Sequence, residues 1–235
     1  MLIGSLKLDF THRVSPIVMG VLNVTPDSFS DGGRFVEHAR AIEHGLKIIA
    51  DGADIVDVGP ESSRPGAKSV SAEEQIARAI PVITAIREAN ASIAISIDTR
   101  SAEVAAAAID AGANIVNDIS ALRDDPKLAS IVARQECKLV LMHMWGKPET
   151  MQQDPTYDDV VAESIAFLQE RVAHAESCGI ARDKIIVDPG IGFGKQTEGN
   201  LRILRELRRF TDIGPPVLLG ASRKSFIGGA LQIND

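Results

Sequence analysis

Aromatic residues, cysteines and long apolar runs are all scarce in this 235-residue sequence. Aromatic residues make up 4% of the chain, so its core must be built from Ala, Val, Ile and Leu. The two cysteines, Cys137 and Cys178, form no CxxC motif, which indicates neither a disulfide framework nor a zinc site. No apolar run reaches the ~18 residues of a membrane span, and no secretion signal opens the chain. We therefore expect a soluble cytoplasmic protein.

An excess of positive charge is also missing. The formal net charge is −7 at pH 7, which argues against a nucleic-acid binder. Four arginines cluster within residues 202–209, but they follow a helical pattern and are expected on a solvated outer face. The hydrophobic share of 45% is ordinary for a globular protein, and 235 residues suit one undivided barrel domain. No nucleic-acid or membrane partner is predicted.

What the chain does have is a regular alternation of short apolar segments with amphipathic ones. Continuous apolar runs are typical of parallel strands buried on both faces, and they occur at 17–22, 54–58, 93–97, 115–117, 138–142, 184–187 and 216–219. Helices are predicted at 36–50, 72–89, 102–111, 127–135, 159–178 and 199–210. No Gly/Ser-rich or proline-rich linker interrupts them, so a single domain over residues 1–235 is predicted. Repeated strand–helix units without a dinucleotide fingerprint favour an α/β (β/α)8 TIM barrel over a doubly wound sheet.

Nearly every predicted strand ends on a polar residue. In chain order these are Asn23, Asp57, Asp98, Asn117, His143 and Asp188, and the last strand leads to Arg223 and Lys224. A turn or a helix cap would explain each of them singly. Because active sites of barrels lie at the carboxyl ends of the strands, their recurrence predicts a ring of donors and acceptors around one mouth.

The residue types in this ring indicate the class of its ligand. Two carboxylates and an amide, Asp98, Asp188 and Asn117, suit the paired hydrogen bonds of an amino–imino edge. Lys224 adds a cation for a carbonyl oxygen or an anionic group, and the loop with Arg64 suits a phosphate. We expect a flat, nitrogen-rich ring that carries a phosphorylated arm. His143 is predicted to be a packed or hydrogen-bonded residue rather than a base.

Seven ordered motifs between Ile17 and Gly229 resemble those of the dihydropteroate synthase family. They read GVLNVTPDSFSDGG, DIVDVGPESSRPGA, SIDTR, NIVNDIS, LMHMWGKPETMQ, DPGIGFGK and GASRKSFIGG. The resemblance implies a (β/α)8 barrel, usually a homodimer. It also implies a transferase that joins 4-aminobenzoate to (7,8-dihydropterin-6-yl)methyl diphosphate with the help of Mg2+, giving dihydropteroate and pyrophosphate for folate biosynthesis.

The same resemblance implies roles for individual residues. Asn23 would help hold Mg2+, and residues 25–33 would form a mobile lid. The pterin diphosphate would be bound by Ser63, Asp98, Asn117, Asp188 and Lys224, and the aminobenzoate by Pro65, Phe193 and Ser225. Lys224, Arg64 and Asn23 are the expected catalytic residues, since the implied route needs stabilisation of the leaving diphosphate and no side-chain nucleophile.

The sequence departs from the family pattern at two places. Pro60 stands where a second glycine is common, which stiffens the start of the Arg64 loop. The family continues past SRKSFIGG through an eighth strand with an Arg–Val–His segment, whereas this sequence ends at Asp235. If the chain is complete, we expect it to bind pterin weakly and to be nearly inactive; the favoured alternative is that the sequence is part of a longer natural chain. Two other interpretations stay open, a pterin-binding methyltransferase-type domain and a non-catalytic or truncated pterin-binding relative.

Overall fold

The computed structural model describes residues 15–25, 34–62, 69–146, 151 and 155–231, with the side chains of 34–36 left out. The chain divides into two compact units. The first comprises Met1–Ser62 and Ser69–Asn117, and the second comprises Ser63–Lys68 and Asp118–Asp235. The prediction of a single domain stays a prediction. None of the helices within the described ranges is long and apolar enough to cross a membrane.

The described part of the first unit is built from parallel strands that alternate with helices. The strands are β1 (Met19–Asn23), β2 (Ile55–Gly59), β3 (Ala94–Asp98) and β4 (Ile115–Asp118), whose last residue belongs to the second unit. The helices are α1 (Arg34–Ala50), α2 (Ala72–Ala89) and α3 (Ala102–Asp110). The strands pair in parallel in chain order. All five residues of β2 are buried, as the continuous apolar run predicts.

Local sequence features explain several helix ends in this unit. The Ser71 hydroxyl accepts a hydrogen bond from the Glu74 N–H at 3.3 Å and caps the first turn of α2. Gly52 and Gly112 follow α1 and α3 with φ of +102° and +114°, a backbone conformation that favours glycine.

The described part of the second unit also has parallel strands, β5 (Lys138–Met142) and β6 (Ile185–Asp188), paired so that Met142 lies opposite Asp188. Its helices are α4 (Leu128–Gln135), α5 (Val160–Ser177), α6 (Thr197–Arg205), α7 (Arg208–Thr211) and α8 (Ser225–Leu231). The single helix predicted at 199–210 is therefore wrong, since the chain leaves helical geometry between α6 and α7. Neither glycine nor proline marks that break in the sequence. Helix α8 was not predicted.

The strand predicted at 216–219 is also wrong as a regular strand. Val217 forms an isolated parallel bridge with Val187. The bridge has two hydrogen bonds, from the Val187 N–H to the Pro216 oxygen at 2.9 Å and from the Leu218 N–H to the Val187 oxygen at 2.8 Å. Pro215 and Pro216 have no N–H to donate, so the ladder cannot extend through them.

Candidate active site

Strand register brings three predicted site residues of the first unit into one row. Asn23 pairs with Gly59 and Asp98 pairs with Asn117, while Val58 and Ile97 pair one position earlier. The row therefore runs Asn23, Gly59, Asp98, Asn117 across β1 to β4 at their carboxyl ends. A Cβ built at Gly59 would lie 3.3 Å from Asn23 Oδ1 and 4.0 Å from Asp98 Oδ2. Gly59 thus leaves a gap between two oxygen acceptors.

A second polar row lies two residues deeper, where Asp57 pairs with Ser96 on the neighbouring strand. Both residues are buried, with 5% and 0% of their surface exposed. Asn117 reaches back from the first row, and its Nδ2 donates a hydrogen bond to Asp57 Oδ2 at 3.2 Å. Within the described ranges, Asp57 Oδ1 and Ser96 Oγ are buried and have no hydrogen-bond partner.

The environment of Asp57 opposes its ionisation. Burial raises the pKa of Asp57, and the dipoles of Ser96 and Asn117 lower it in part. The sequence analysis placed Asp57 at a strand end and gave it no role. The sequence does contain a signal for this second row. Asp57 lies two positions before Gly59 on β2, and Ser96 lies two positions before Asp98 on β3. Residues two apart share a strand face, so both polar side chains lie beneath the strand ends.

Asp118, which follows Asn117, is occupied by the turn after β4. Its carboxylate accepts hydrogen bonds from the Ser120 N–H at 2.8 Å, the Ser120 hydroxyl at 2.7 Å and the Leu122 N–H at 2.6 Å. These bonds hold Ala121 and Leu122 at φ of +52° and +63°. Burial raises the pKa of Asp118, and the same hydrogen bonds lower it in part. Asp118 is therefore a structural residue of this turn.

In the second unit, Asp188 ends β6 and closes the turn that follows. Its Oδ1 accepts a hydrogen bond from the Gly190 N–H at 2.7 Å. Burial raises the pKa of Asp188, whereas that hydrogen bond and the charges of Lys224 and Lys195 lower it. Asp188 is thus both a turn residue and a buried carboxylate that feels the charges of two lysines.

Lys224 and Phe193, two further predicted site residues, lie against each other. The Lys224 ammonium is 4.4 Å from the centroid of the Phe193 ring, and it donates a hydrogen bond to the Ile191 carbonyl. Burial lowers the pKa of Lys224, and Asp188 raises it. Gly192 has a φ of +82°, and a Cβ there would lie 2.9 Å from Lys224 Cδ. This glycine makes room for the lysine side chain.

The other glycines of DPGIGFGK also make room for close packing within the protein. A Cβ at Gly190 would collide with the His143 carbonyl oxygen, and one at Gly194 would lie 2.5 Å from Trp145 Cβ. Both glycines have positive φ, +67° and +62°. Close packing of this segment against the chain after β5 requires them.

Lys195, at the end of this segment, is a buried cation that the sequence analysis missed. Its Nζ donates to the carbonyls of Gly190 at 2.9 Å, Phe193 at 3.1 Å and His143 at 3.3 Å. Burial lowers the pKa of Lys195 to about 7, and Asp188 opposes that change. We see no pattern in the sequence that distinguishes it from an exposed lysine.

The prediction that His143 is a packed residue is confirmed. The ring is buried, its Nδ1 shares a hydrogen bond with the Ser164 hydroxyl at 3.2 Å, and it packs edge-on against Phe167 at 5.1 Å. Burial lowers the pKa of His143 well below its usual value, and the charges of Lys195 and Arg123 add to that. The imidazole is therefore neutral at pH 7.

The remaining predicted site residues divide into two groups. Ser225 is exposed at the start of α8. Outside the described residues lie Ser63, Arg64, Pro65 and most of the predicted lid.

Across the part of the chain that the structure describes, no group of three or more His, Cys, Asp or Glu side chains could hold a metal ion.

Comparison with known proteins identifies the class to which this arrangement belongs. A family profile described as "Pterin binding enzyme" matches residues 19–235. The dihydropteroate synthase of Synechocystis sp. is 44% identical over 233 residues, which cover 99% of this chain and 80% of that protein. The Escherichia coli K12 dihydropteroate synthase is 46% identical over 227 residues, covering 97% of this chain and 79% of that protein.

Solved structures agree with these matches. The Xanthomonas albilineans dihydropteroate synthase with 4-aminobenzoic acid superposes with a TM-score of 0.87 at 46% identity, covering 94% of this chain and 78% of that one. The same enzyme with 7,8-dihydropteroate gives 0.82 at 43% identity, with the same coverage. The chain is thus a pterin-binding enzyme of the (β/α)8-barrel class, as predicted. Within that class, it belongs to the dihydropteroate synthase family.

Proposed function

We propose that this chain is a dihydropteroate synthase, which condenses (7,8-dihydropterin-6-yl)methyl diphosphate with 4-aminobenzoate. The observation that carries the proposal is the row of Asn23, Asp98 and Asn117 across the carboxyl ends of parallel strands. That row supplies the oxygen acceptors that a pterin ring, rich in N–H donors, requires. The 4-aminobenzoic acid and 7,8-dihydropteroate bound to the Xanthomonas enzyme support the same pair of substrate and product.

The reaction breaks the C–O bond between the methylene carbon and the diphosphate. The electron pair leaves with pyrophosphate, the aryl amine forms a C–N bond to the methylene, and the new ammonium loses a proton to water. Positive charge develops on the methylene and spreads into the pterin ring. By the family resemblance, the carboxylates of Asp98 and Asp188 stabilise that charge, and Lys224 orients the ring by donating to the pterin's carbonyl oxygen. Asn117 completes the contacts with the pterin.

The proposed metal is Mg2+, held in part by Asn23. Mg2+ in proteins commonly keeps several waters and uses few protein ligands together with phosphate oxygens of the substrate. Asn23 is exposed and its Oδ1 lies beside the gap at Gly59, so a single amide oxygen fits a metal that arrives with the diphosphate. When bound, Mg2+ would neutralise charge on the leaving pyrophosphate.

The family resemblance supports the other assignments. Ser63 and Arg64 bind the diphosphate, with Arg64, Lys224 and Asn23 as the catalytic residues that stabilise its departure. Phe193, Pro65 and Ser225 border the aminobenzoate. We also propose a cytoplasmic homodimer on the same ground.

A turnover assay tests the proposed function. The purified chain is mixed with dihydropterin diphosphate, Mg2+ and 4-aminobenzoate, and pyrophosphate and dihydropteroate are quantified together. We expect one pyrophosphate for each dihydropteroate, and neither product in excess when 4-aminobenzoate is omitted. A methyltransferase-type or non-catalytic protein would bind pterin and release no pyrophosphate above the protein-free rate.

A further inference from the structure

We propose that Asp57 is a positioning residue, which fixes the orientation of the Asn117 amide and so sets the donor–acceptor pattern that β4 presents to the pterin. This inference rests on the proposed function. Asp57 lies in the deeper row and is 5% exposed, which places it behind Asn117. Its contact with the amide is direct, at 3.2 Å between Asn117 Nδ2 and Asp57 Oδ2.

The sheet makes this contact possible. Asp57 lies on β2 and Asn117 on β4, with β3 between them. The residue of β3 that pairs with Asp57 is Ser96, whose small side chain leaves the path across β3 open. A larger residue at this position would fill the space through which Asn117 reaches back.

The contact favours one orientation of the amide. In the structure the nitrogen of Asn117 faces Asp57, whose Oδ2 accepts its hydrogen bond at 3.2 Å. Within the described ranges, Asn117 supplies the hydrogen bond that Asp57 Oδ2 accepts, and Asp57 Oδ1 has no partner. Turning the amide would place its oxygen against a buried carboxylate and remove that hydrogen bond. Leaving a buried polar group without its hydrogen bond costs free energy, which favours the observed orientation.

The fixed orientation has a consequence for recognition. With one N–H directed at Asp57, Asn117 retains its second N–H and its Oδ1 for a ligand, in a set order. A ring nitrogen next to an exocyclic amino group, as in a pterin, offers the matching acceptor and donor. The reversed amide would oppose donor to donor and acceptor to acceptor. Asp57 therefore contributes to pterin selectivity without touching the ligand.

A double-mutant cycle on the full chain tests this mechanism. The probe is 7,8-dihydropteroate, and its affinity is measured by calorimetry for wild type, D57N, N117A and D57N/N117A. D57N keeps the side-chain shape and lets residue 57 donate to the Asn117 oxygen, so the amide loses its preference. We expect D57N to weaken binding roughly 10- to 100-fold in the wild-type background. In the N117A background we expect D57N to change the affinity by less than about twofold, because the group it positions is gone.

D183N is the matched Asp-to-Asn control, since Asp183 is exposed on the short helix Arg182–Lys184 of the second unit. We expect it to leave the affinity within about twofold of wild type. An equal loss from D57N in both backgrounds would overturn the inference and leave the proposed function intact. No binding of 7,8-dihydropteroate by wild type would instead contradict the proposed function.

A measurement on the wild-type protein covers the case in which D57N does not fold. The side-chain NH2 signals of Asn117 are assigned by NMR from their absence in N117A. We expect one of the two protons to exchange more slowly with water than the other, because it lies in the partly buried hydrogen bond to Asp57. Rapid exchange of both protons would contradict a fixed amide.

Discussion

At the scale of single residues, the carboxylates at strand ends differ in what already occupies them. Asp118 accepts hydrogen bonds from the turn after β4, whereas Asp57 accepts one from the Asn117 amide and Asp188 accepts one from the Gly190 N–H. The sequence places Asp57 and Asp188 at the ends of predicted strands and Asp118 directly after another. It does not predict which of them support a turn, because that depends on hydrogen bonds formed only after folding.

For Asp188, we expect D188N to weaken 7,8-dihydropteroate binding by about 1.5–3 kcal/mol. The substitution keeps an oxygen for the Gly190 N–H, so the turn is retained, and removes the charge that opposes Lys224 and Lys195. Calorimetry measures the affinity, and thermal unfolding checks the fold. D183N, in the exposed turn Arg182–Lys184, is the control and should bind as wild type does. Equal affinity for D188N and wild type would remove Asp188 from the pterin site.

Lys195 predicts a specific pH dependence of stability. Its pKa is about 7 in the folded protein and 10.5 in the unfolded chain, so the unfolded chain binds more protons between these values. The free energy of unfolding should therefore rise with pH in this window, by up to about 1.4 kcal/mol per pH unit from this residue. The range from pH 7 to 8.5 is the most informative, because burial raises the pKa of Cys137 to about 11 and its opposite effect begins above pH 9.

Urea unfolding of wild type and K195M at pH 7 and 8.5 measures this effect. K195M should be less stable at both values, since three buried carbonyls lose their donor. Its stability should also rise less between the two pH values than that of wild type. Parallel pH dependence in the two proteins would show that Lys195 has an ordinary pKa.

At the scale of elements, the repeated pattern of apolar strand and amphipathic helix predicted β1 to β6 to within two residues at each end. It failed at 216–219, where consecutive prolines allow only a bridge, and at the break between α6 and α7. The pattern of apolar and polar residues does not show where a backbone N–H is missing or where a helix ends. The glycines of DPGIGFGK are visible in the sequence, but the contacts that require glycine there involve residues distant in the chain, so only the fold explains them.

Two glycines with positive φ therefore give different expectations for substitution by alanine. At Gly52 nothing lies within 4 Å of an added Cβ, so G52A should cost about 1–2 kcal/mol from left-handed backbone strain alone. At Gly190 the added Cβ also meets the His143 carbonyl oxygen, which is backbone and cannot turn away. We expect G190A to cost at least about 3 kcal/mol, in the range of severe core changes. Urea unfolding of both variants measures this, and equal losses would contradict the close packing at Gly190.

At the scale of the whole molecule, the row of Asn23, Asp98 and Asn117 was predictable because parallel strands in register bring their carboxyl ends to one edge. The assignment of those residues to a pterin came from the ordered motifs, since oxygen acceptors alone fit many ligands. The contact of Asp57 with Asn117 behind the row has no counterpart in sequence spacing, and neither do the contacts of Lys195 with three carbonyls in the second unit. The bonds from Asn117 to Asp57 and from Lys195 to His143 join residues far apart in the chain, and the direction of all these side chains is determined by the fold.

The proposed metal site predicts how ligands change the stability of the whole chain. A metal held mainly by the protein would raise the unfolding temperature by itself, because it binds the folded state alone. The described residues hold no cluster that could bind such an ion, and Asn23 offers one amide oxygen. We expect millimolar Mg2+ alone to shift the unfolding temperature by less than about 1 °C, and Mg2+ with pyrophosphate to raise it by several degrees. In N23A we expect most of the additional rise in unfolding temperature that Mg2+ gives with pyrophosphate to be lost. The rise given by pyrophosphate alone should be kept. Scanning calorimetry with each ligand singly and together decides the matter, and a large shift from Mg2+ alone would mean that the protein holds the ion without the diphosphate.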